Sequence, residues 1–392
     1  MQPQRVLISA GEASGDLYAA SLATKLKRAW PDADFYGCTG PRMRKAGVRT
    51  VIDAGSLAVV GIVEVIAHIP RIYREYRKLL TFALENRPDL AILTDSPDFH
   101  LRLAAKLQAA GIPVIYLVAP QVWAWRQGRL SRMRKVINHL LCIFPFEERF
   151  FSDNNIPVTY IGHPLTTMVR TSMSRADFFR KHRLPPDRPL VVVLPGSRRG
   201  EAARHLETLL EAVDRLYQNQ AASFLLPASV TTGAAFFRER IGRAPIQVVE
   251  GETWDAIGHA DLALAASGTV TVEAALLGTP MVTYYRVSPV SWFLGRRLVK
   301  VPFLSMVNLV AGRKIVPELM QSEFTGERLA QEATRILENE AIRRQMKTDL
   351  AEVAARLSIG PDPMDRAVST IQAVMEHLNK EEAIHVSENL VS

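Results

Sequence analysis

Residues 190–201 read LVVVLPGSRRGE. The unbroken apolar run at 190–194 is too short for a buried helix and reads as a strand covered on both faces. Pro195-Gly196 breaks it, and Ser197-Arg198-Arg199 leads into the next helix. A strand, a glycine-containing turn and a helix N-terminus together form an anion site, because the first helical turn has backbone N–H groups with no intrahelical acceptor. Arg198 adds a planar donor suited to phosphate oxygens. Phosphate contact through Gly196, Ser197 and Arg198 is favoured over plain solvent exposure of two arginines.

Outward from this stretch, short apolar runs alternate with amphipathic helical patterns, the signature of a parallel sheet covered by helices. Strands are predicted at 6–10, 34–36, 90–94, 114–118, 140–143 and 159–161, and again at 190–194, 223–226, 246–249, 262–265 and 281–284. Between the two series lies a polar, basic, proline-marked segment, 173–189, which reads as the domain junction. The expected division is an N-terminal Rossmann-like domain over 1–172, a second over 190–358, and a C-terminal helix and tail over 359–392. After Phe324 the pattern turns helical.

The chain has 392 residues, 48% hydrophobic and 22% charged, the balance of a globular protein of two domains. Its two cysteines, Cys38 and Cys142, have no partners at metal-ligand spacing, so neither a disulfide framework nor a zinc site is expected, and a reducing cytoplasm is the default. No stretch supplies the roughly 20 uninterrupted apolar residues a bilayer span requires. The net charge of +8 suits nucleic acid, an anionic membrane or a phosphorylated substrate without choosing among them. The arginines are scattered and no nucleic-acid motif appears, so no nucleic-acid partner is expected.

Open α/β sheets bind ligands beyond the carboxyl ends of their strands, which directs attention to three further loops. Gly11-Glu12-Ala13-Ser14-Gly15-Asp16 follows the first strand and is neither a dinucleotide fingerprint nor a P-loop. A plain strand-to-helix turn explains it equally well. Thr94-Asp95-Ser96-Pro97-Asp98-Phe99 brings two carboxylates to a strand end. Either they start the following helix or one takes a proton from an attacking hydroxyl. Ala266-Ser267-Gly268-Thr269 makes a second anion cradle, and Glu273, interrupting an otherwise apolar helix, is placed to accept ribose hydroxyls. Two cradles with an acid between them suggest a nucleoside diphosphate.

Ten motifs in order carry a resemblance: GEASGD, GPRMRKAG (40–47), VGIVEVIAHIPRI (60–72), SPDF, APQVWAWR (119–126), FPFEERFF (144–151), GHPL (162–165), LPGSRRGE, ASGTVTVEAALLGTPMV and VNLVAGRKIVPELMQ (307–321). Together they resemble the lipid-A-disaccharide synthase family over nearly the whole chain. The resemblance implies the GT-B architecture, an α/β fold of two Rossmann-like doubly wound domains facing a cleft, with C-terminal helices. It implies transfer of 2,3-diacylglucosamine from UDP-2,3-diacylglucosamine to the 6-hydroxyl of 2,3-diacylglucosamine 1-phosphate, with inversion and release of UDP. It further implies no dissociable metal or other cofactor, and a cytoplasmic enzyme attached peripherally to an anionic inner-membrane surface.

Position by position, the resemblance gives Asp98 as catalytic carboxylate and Arg198 as the diphosphate arginine. Ser267, Gly268, Thr269 and Glu273, with Gly196, Ser197, Asn308 and Glu318, fall to UDP-sugar binding. Glu12, Ser14, Gly15, Asp16, Gln121 and Trp123 fall to the acceptor side, although Trp123 and Trp125 also read as core or cleft wall. His100 stands where many relatives have Asn, and Asp95 has no assigned role. A UDP-sugar epimerase of the same architecture is the rival reading.

Two segments suit a membrane surface: residues 71–84, basic and amphipathic, and Trp292-Phe293-Leu294 beside Arg296, Arg297 and Lys300. A helix packed on the core explains 71–84 equally well. The basic run Arg126, Arg129, Arg132, Arg134 and Lys135 suits either the acceptor phosphate or a solvated face. His163 is placed as a ligand contact, while His68 and His205 read as ordinary helix residues. The C-terminal segment is expected to cross to the other domain, or to another subunit in a swapped homodimer.

Overall fold

The computed structural model describes residues 2–57, 62–219, 222–288, 292, 301–360 and 362–391, with backbone alone at 62–68 and 381–391. Its first sheet runs, in sequence order, β1 (Arg5–Ala10), β2 (Asp34–Thr39), β3 (Arg49–Asp53), β4 (Leu90–Thr94), β5 (Val114–Leu117), β6 (His139–Cys142) and β7 (Val158–Tyr160). The second comprises β8 (Leu190–Leu194), β9 (Ser223–Ala228), β10 (Ile246–Glu250), β11 (Leu262–Ala266), β12 (Met281–Tyr285) and β13 (Glu318–Met320). All described pairings are parallel.

Spatial order is β3-β2-β1-β4-β5-β6-β7 in one sheet and β10-β9-β8-β11-β12-β13 in the other. Each sheet therefore winds outward from its first strand in one direction, then returns and winds in the other. The reversal falls between β1 and β4, and between β8 and β11. The strands LAILT of β4 and LVVVL of β8, at the centre of each sheet, are buried at every position because helices cover both faces.

Helices form where apolar residues recur at helical spacing and a cap stops the chain. In Gly326–Glu338 the buried positions Leu329, Ala330, Ala333 and Ile336 make one stripe, and the Thr325 hydroxyl accepts the Arg328 N–H at its start. Each large apolar side chain buried in this way contributes about 1.5–3 kcal/mol.

Two compact units result, Met1–Pro164 with Ser358–Ser392, and Leu165–Leu357. The boundary differs from the expected junction. Residues 173–189 belong to the second unit and carry the helix Arg175–His182. The segment leading into that helix is tied down by Asp255, which accepts Ser172 N–H (2.7 Å), the Ser172 hydroxyl (2.7 Å) and Met173 N–H (3.2 Å). Lys181 and His182 both meet Glu252 at 2.8 Å. The prolines and charges that suggest a linker are the outer face of an ordered clasp.

The C-terminal helix Pro363–Val391 packs on Ala13–Ala29 of the first unit. Met364, Ala367 and Ile371 are fully buried, and Lys25 pairs with Asp362 (2.8 Å) and Asp365 (2.7 Å). The helix Ile62–Asn86 buries Leu79 and Ala83, and Tyr76 stands edge-on to Phe99 at 5.7 Å. Much of the apolar stripe at 71–84 is therefore a packing face, leaving Tyr73 and Leu84 exposed, with Ile69 exposed just before it. Of the second membrane segment, Phe293, Leu294, Arg296, Arg297 and Lys300 lie outside the described residues, and Trp292 is partly exposed. Among the described residues no helix is long and apolar enough to cross a membrane.

Asp255 is almost completely buried. Asp255→Ala leaves its donors without acceptors, and a loss of about 2–3 kcal/mol in unfolding free energy is expected. Urea unfolding followed by tryptophan fluorescence checks this; an unchanged midpoint would show that the clasp contributes nothing.

Candidate functional site

Parallel strands deliver their carboxyl ends to one edge of a sheet, and a crevice opens where the strand order reverses. In the second unit this point lies between β8 and β11, where Leu194 pairs with Ala265. The turns 195–198 and 267–268 therefore leave the sheet from adjacent positions. Gly196 sits at φ +121°, a conformation side-chain-bearing residues avoid, and a Cβ there would approach Glu201 to 2.7 Å.

The first turn is fixed through its carbonyls. Tyr284 donates its hydroxyl to the Leu194 carbonyl (2.8 Å). The Thr232 and Ser229 hydroxyls donate to the Ser197 carbonyl at 2.9 and 3.1 Å. His205 Nδ1 lies 2.9 Å from the Pro195 carbonyl, and its Nε2 lies 3.1 Å from the Arg286 backbone N–H. A carbonyl only accepts, so Nδ1 carries a proton, and burial lowers the ring's pKa, which favours the neutral form. His205 thus anchors the cradle, a role its helical sequence context conceals. Ser197 and Arg198 remain exposed at the helix start.

The second turn is equally well built. Ser267 donates its N–H to the Tyr284 carbonyl and its hydroxyl to the Leu304 carbonyl, both at 2.8 Å, while the Thr271 hydroxyl closes on the Gly268 carbonyl at 2.8 Å. Gly268 and Thr269 are exposed and Glu273 half-buried. Asn308 and Glu318 occupy different positions from those expected of ligand contacts. Asn308 is fully buried and uses both ends of its amide. Its oxygen accepts Ile315 and Val316 N–H (2.7 and 3.0 Å), and its nitrogen donates to the Val316 carbonyl (3.0 Å) and Glu318 (2.7 Å). Glu318 also accepts Leu304 and Ser305 N–H at 3.1 and 2.9 Å. These two residues hold the segment against which Ser267 closes.

In the first unit the reversal lies between β1 and β4, where Ala10 pairs with Thr94. Asp95 fills the crevice and accepts the N–H groups of Gly11 (2.8 Å) and Glu12 (2.9 Å). Gly15 has no side chain because a Cβ would stand 1.7 Å from the Asp95 carboxylate. Asp95 and Ser96 both take left-handed conformations, φ +53° and +37°. Such strain costs about 1–3 kcal/mol per residue. It is offset by two buried donors to the Asp95 carbonyl, the Tyr116 hydroxyl and His100 Nδ1 (3.0 Å). His100 Nε2 in turn accepts from the Ser9 hydroxyl (2.8 Å), so His100 is a neutral strut, and burial pushes its pKa down to about 4.

The kink sets Pro97-Asp98 at the start of the helix Pro97–Ala109, with the Asp98 side chain 72% exposed. It pairs with Arg126 (3.1 Å) and Arg129. Arg126 also lies over the Trp125 ring, 4.1 Å from its centre. Burial, reinforced by the charge of Arg126, holds the Arg129 guanidinium below its usual range despite the pull of Asp98. The Arg126–Asp98 pair is exposed on both sides, and such a pair contributes only about 0.2–1 kcal/mol, so Arg126 exchanges readily for another partner, while Arg129 is half-buried.

Other acceptor-side candidates divide. Glu12 and Gln121 are exposed and Ser14 half-buried. Asp16 is buried and wholly engaged by Gly40, Arg42 and Met43 N–H (2.9, 2.9 and 3.0 Å), capping the helix Pro41–Lys45. Trp123 is core: its indole N–H donates to buried Glu147 at 3.0 Å, and burial raises that carboxyl to about 7. His163 is likewise packed between Tyr18 and Phe144 (6.0 and 5.2 Å), its pKa pushed by burial down to about 3. Among the described residues no group of three or more His, Cys, Asp or Glu is arranged to hold a metal ion.

The chain has two units, each built on a doubly wound parallel sheet. It is similar to a UDP-GlcNAc 2-epimerase from Neisseria meningitidis bound to UDP-GlcNAc, with TM-score 0.66 and 11% identity over 94% of this chain and 100% of that one. It is also similar to CalG4, the calicheamicin glycosyltransferase, with TM-score 0.58 and 15% identity over 96% and 99%. At such identities only the fold is shared. Sequence decides between the two: residues 6–363 match the family described as lipid-A-disaccharide synthetase. A lipid-A-disaccharide synthase of Solibacter usitatus (strain Ellin6076) is 63% identical over 372 residues, 95% of this chain and 98% of that protein. The chain belongs to the lipid-A-disaccharide synthase family, and it is a glycosyltransferase.

Burial, with the charge of Glu12 adding to it, pushes the Asp95 carboxyl up to about 7, against the two N–H donors that favour charge. A carboxyl whose folded pKa lies above its unfolded value stabilises most below the unfolded value and loses that contribution as pH rises through the folded one. The expected result is that destabilisation by Asp95→Asn shrinks between pH 4 and pH 7. Destabilisation that grows over that interval, in urea unfolding of both proteins, would show Asp95 to be an ionised anchor.

Proposed function

We propose that the chain transfers a 2,3-diacylglucosamine unit from UDP-2,3-diacylglucosamine to the 6-hydroxyl of 2,3-diacylglucosamine 1-phosphate. Membership of the family supports the reaction. The single structural observation that carries the residue roles is the pair of turns leaving β8 and β11 from paired positions. There, helix N-termini and Arg198 are suited to a diphosphate, and Glu273 to the ribose. Arg198 and the helix starts hold the charge that grows on the β-phosphate as the bond from C1 to the phosphate oxygen breaks.

Asp98 takes the proton of the 6-hydroxyl, whose oxygen bonds to C1 from the side opposite UDP, inverting that carbon. UDP leaves with the bonding electron pair. A helix dipole supplies about 0.3–1 kcal/mol to such charge, up to about 2 when partly buried. A preorganised donor in a dry site supplies roughly 3–4 kcal/mol, so Arg198 dominates. The reaction as read uses no dissociable metal. Acylated substrates call for a membrane surface, and exposed Ile69, Tyr73 and Leu84 with the basic residues at 71, 74, 77 and 78 support peripheral attachment to an anionic one. A homodimer swapped through the C-terminal helix is a further part of the reading. It is supported by the C-terminal helix belonging to the first unit although the chain reaches it from the second.

Asp98→Asn is expected to lose roughly 10²–10⁴ in turnover. Arg198→Ala is expected to lose roughly 10²–10³. Mass spectrometry of the product, with and without the 1-phosphate acceptor, tests the reaction itself. UDP release that ignores the acceptor would identify an epimerase instead, and near-wild-type turnover in Asp98→Asn would remove it as the base.

A further inference from the structure

The basic run 126–135 does not act as one surface. Arg134 donates twice to the Asn154 carbonyl (3.0 and 2.9 Å), at the end of the helix Pro145–Asp153. Arg132 and Lys135 are exposed on the helix Leu130–Val136. Arg126 and Arg129 turn to the helix Pro97–Ala109, and they converge on one carboxylate. Arg126 reaches both oxygens of Asp98, at 3.4 and 3.1 Å, and Arg129 binds one of them.

Two guanidiniums on one carboxylate leave a net positive charge, in a geometry that already receives an oxyanion through two oxygens. The carboxylate they hold is the group read above as the base, and guanidinium N–H groups occupy both of the oxygens that an incoming hydroxyl would have to reach. Something must relieve it during the reaction. A phosphate monoester has more charge and more acceptor oxygens than a carboxylate, and it competes for the same forks. In a glucosamine 1-phosphate, C1 and C5 both bond the ring oxygen, so the phosphate and the 6-hydroxymethyl group flank the same edge of the sugar. An acceptor that brings its 6-hydroxyl to Asp98 therefore brings its phosphate to the cations beside it.

We infer that Arg126 and Arg129 form the phosphate-reading fork of the acceptor site, and that the acceptor's phosphate draws them off Asp98, freeing the base only when the correct acceptor is seated. The inference rests on the glycosyl transfer proposed above. It makes the two arginines specificity-determining residues, acting by exchange of partner instead of by adding a contact to an empty pocket.

The test compares the full-length wild type with an Arg126→Gln/Arg129→Gln double variant and with Arg129→Lys. Each is given UDP-2,3-diacylglucosamine and either 2,3-diacylglucosamine 1-phosphate or the same sugar lacking its phosphate, in neutral detergent micelles. The wild type is expected to prefer the phosphorylated acceptor. The double variant is expected to lose about 10–100-fold of that preference in kcat/KM, carried by KM for the phosphorylated acceptor. Arg129→Lys, which keeps the charge but not the fork, should recover part of it.

Equal losses on both acceptors, or a preference unchanged in the double variant, would overturn the inference. So would a defect that appears only on vesicles containing phosphatidylglycerol, which would make the pair a membrane contact. A wild type that transfers to both acceptors alike overturns the fork while leaving the transfer reaction intact. A wild type that transfers to neither overturns the reaction and the fork together.

Discussion

Every strand pairing described in this chain is parallel, and that constraint governs what the molecule can do. A parallel sheet sends all its carboxyl ends to one edge, and a reversal of strand order leaves two loops there with no crossover between them. This happens twice, between β1 and β4 and between β8 and β11. In the second unit the reversal leaves two turns that open helices, and backbone N–H groups at helix starts favour anions. In the first the same crevice is filled from within by Asp95, and the next carboxylate, Asp98, stands exposed at the helix start beyond it. One topology gives two outcomes, decided by whether a side chain occupies the gap.

The polar groups fall into two populations. Asp16, Asp95, Glu147, Asp255, His100, His205 and Asn308 are buried or nearly so and satisfied by backbone donors, acceptors or one another. Removing a partner from such a group leaves a buried donor or acceptor unmet, at a cost of about 1–3 kcal/mol, so these residues behave as struts. Ser197, Arg198, Thr269 and Asp98 are exposed and stand at helix starts. The struts fix where the exposed groups begin, and exposed ion pairs change partner at little cost. Rigidity beneath and exchange above is what a transferase that must bind, release and discriminate between two sugars requires.

Much of this was legible in the sequence. The runs LAILT at 90–94 and LVVVL at 190–194 match β4 and β8 residue for residue, because a strand buried on both faces is apolar nearly throughout and charged or proline-marked residues bound it. The edge strands β3 and β13 escaped notice: both pair on one side only and carry polar residues where an inner strand would be apolar, and β13 has only three residues. The loops carrying Gly196 and Ser267 were read correctly as turns, since a strand end followed by glycine and a helix pattern is a local signal. The roles of Asp16, Asn308 and His163 were not local. Whether a polar side chain meets ligand or backbone depends on segments tens of residues away, as with Asp16 and the Gly40–Met43 amides. Spacing within one motif does not encode that. Asp95 had one usable clue, its place as the first residue past a fully buried strand at the reversal.

The central claim is that the paired turns after β8 and β11 grip a uridine diphosphate. Backbone hydrogen exchange of the whole chain, with and without saturating UDP, tests it most directly. The account predicts slowed exchange at residues 196–202 and 267–271, with residues 11–16 unaffected. Protection confined to residues 11–16, with the two turns exchanging as before, would contradict it.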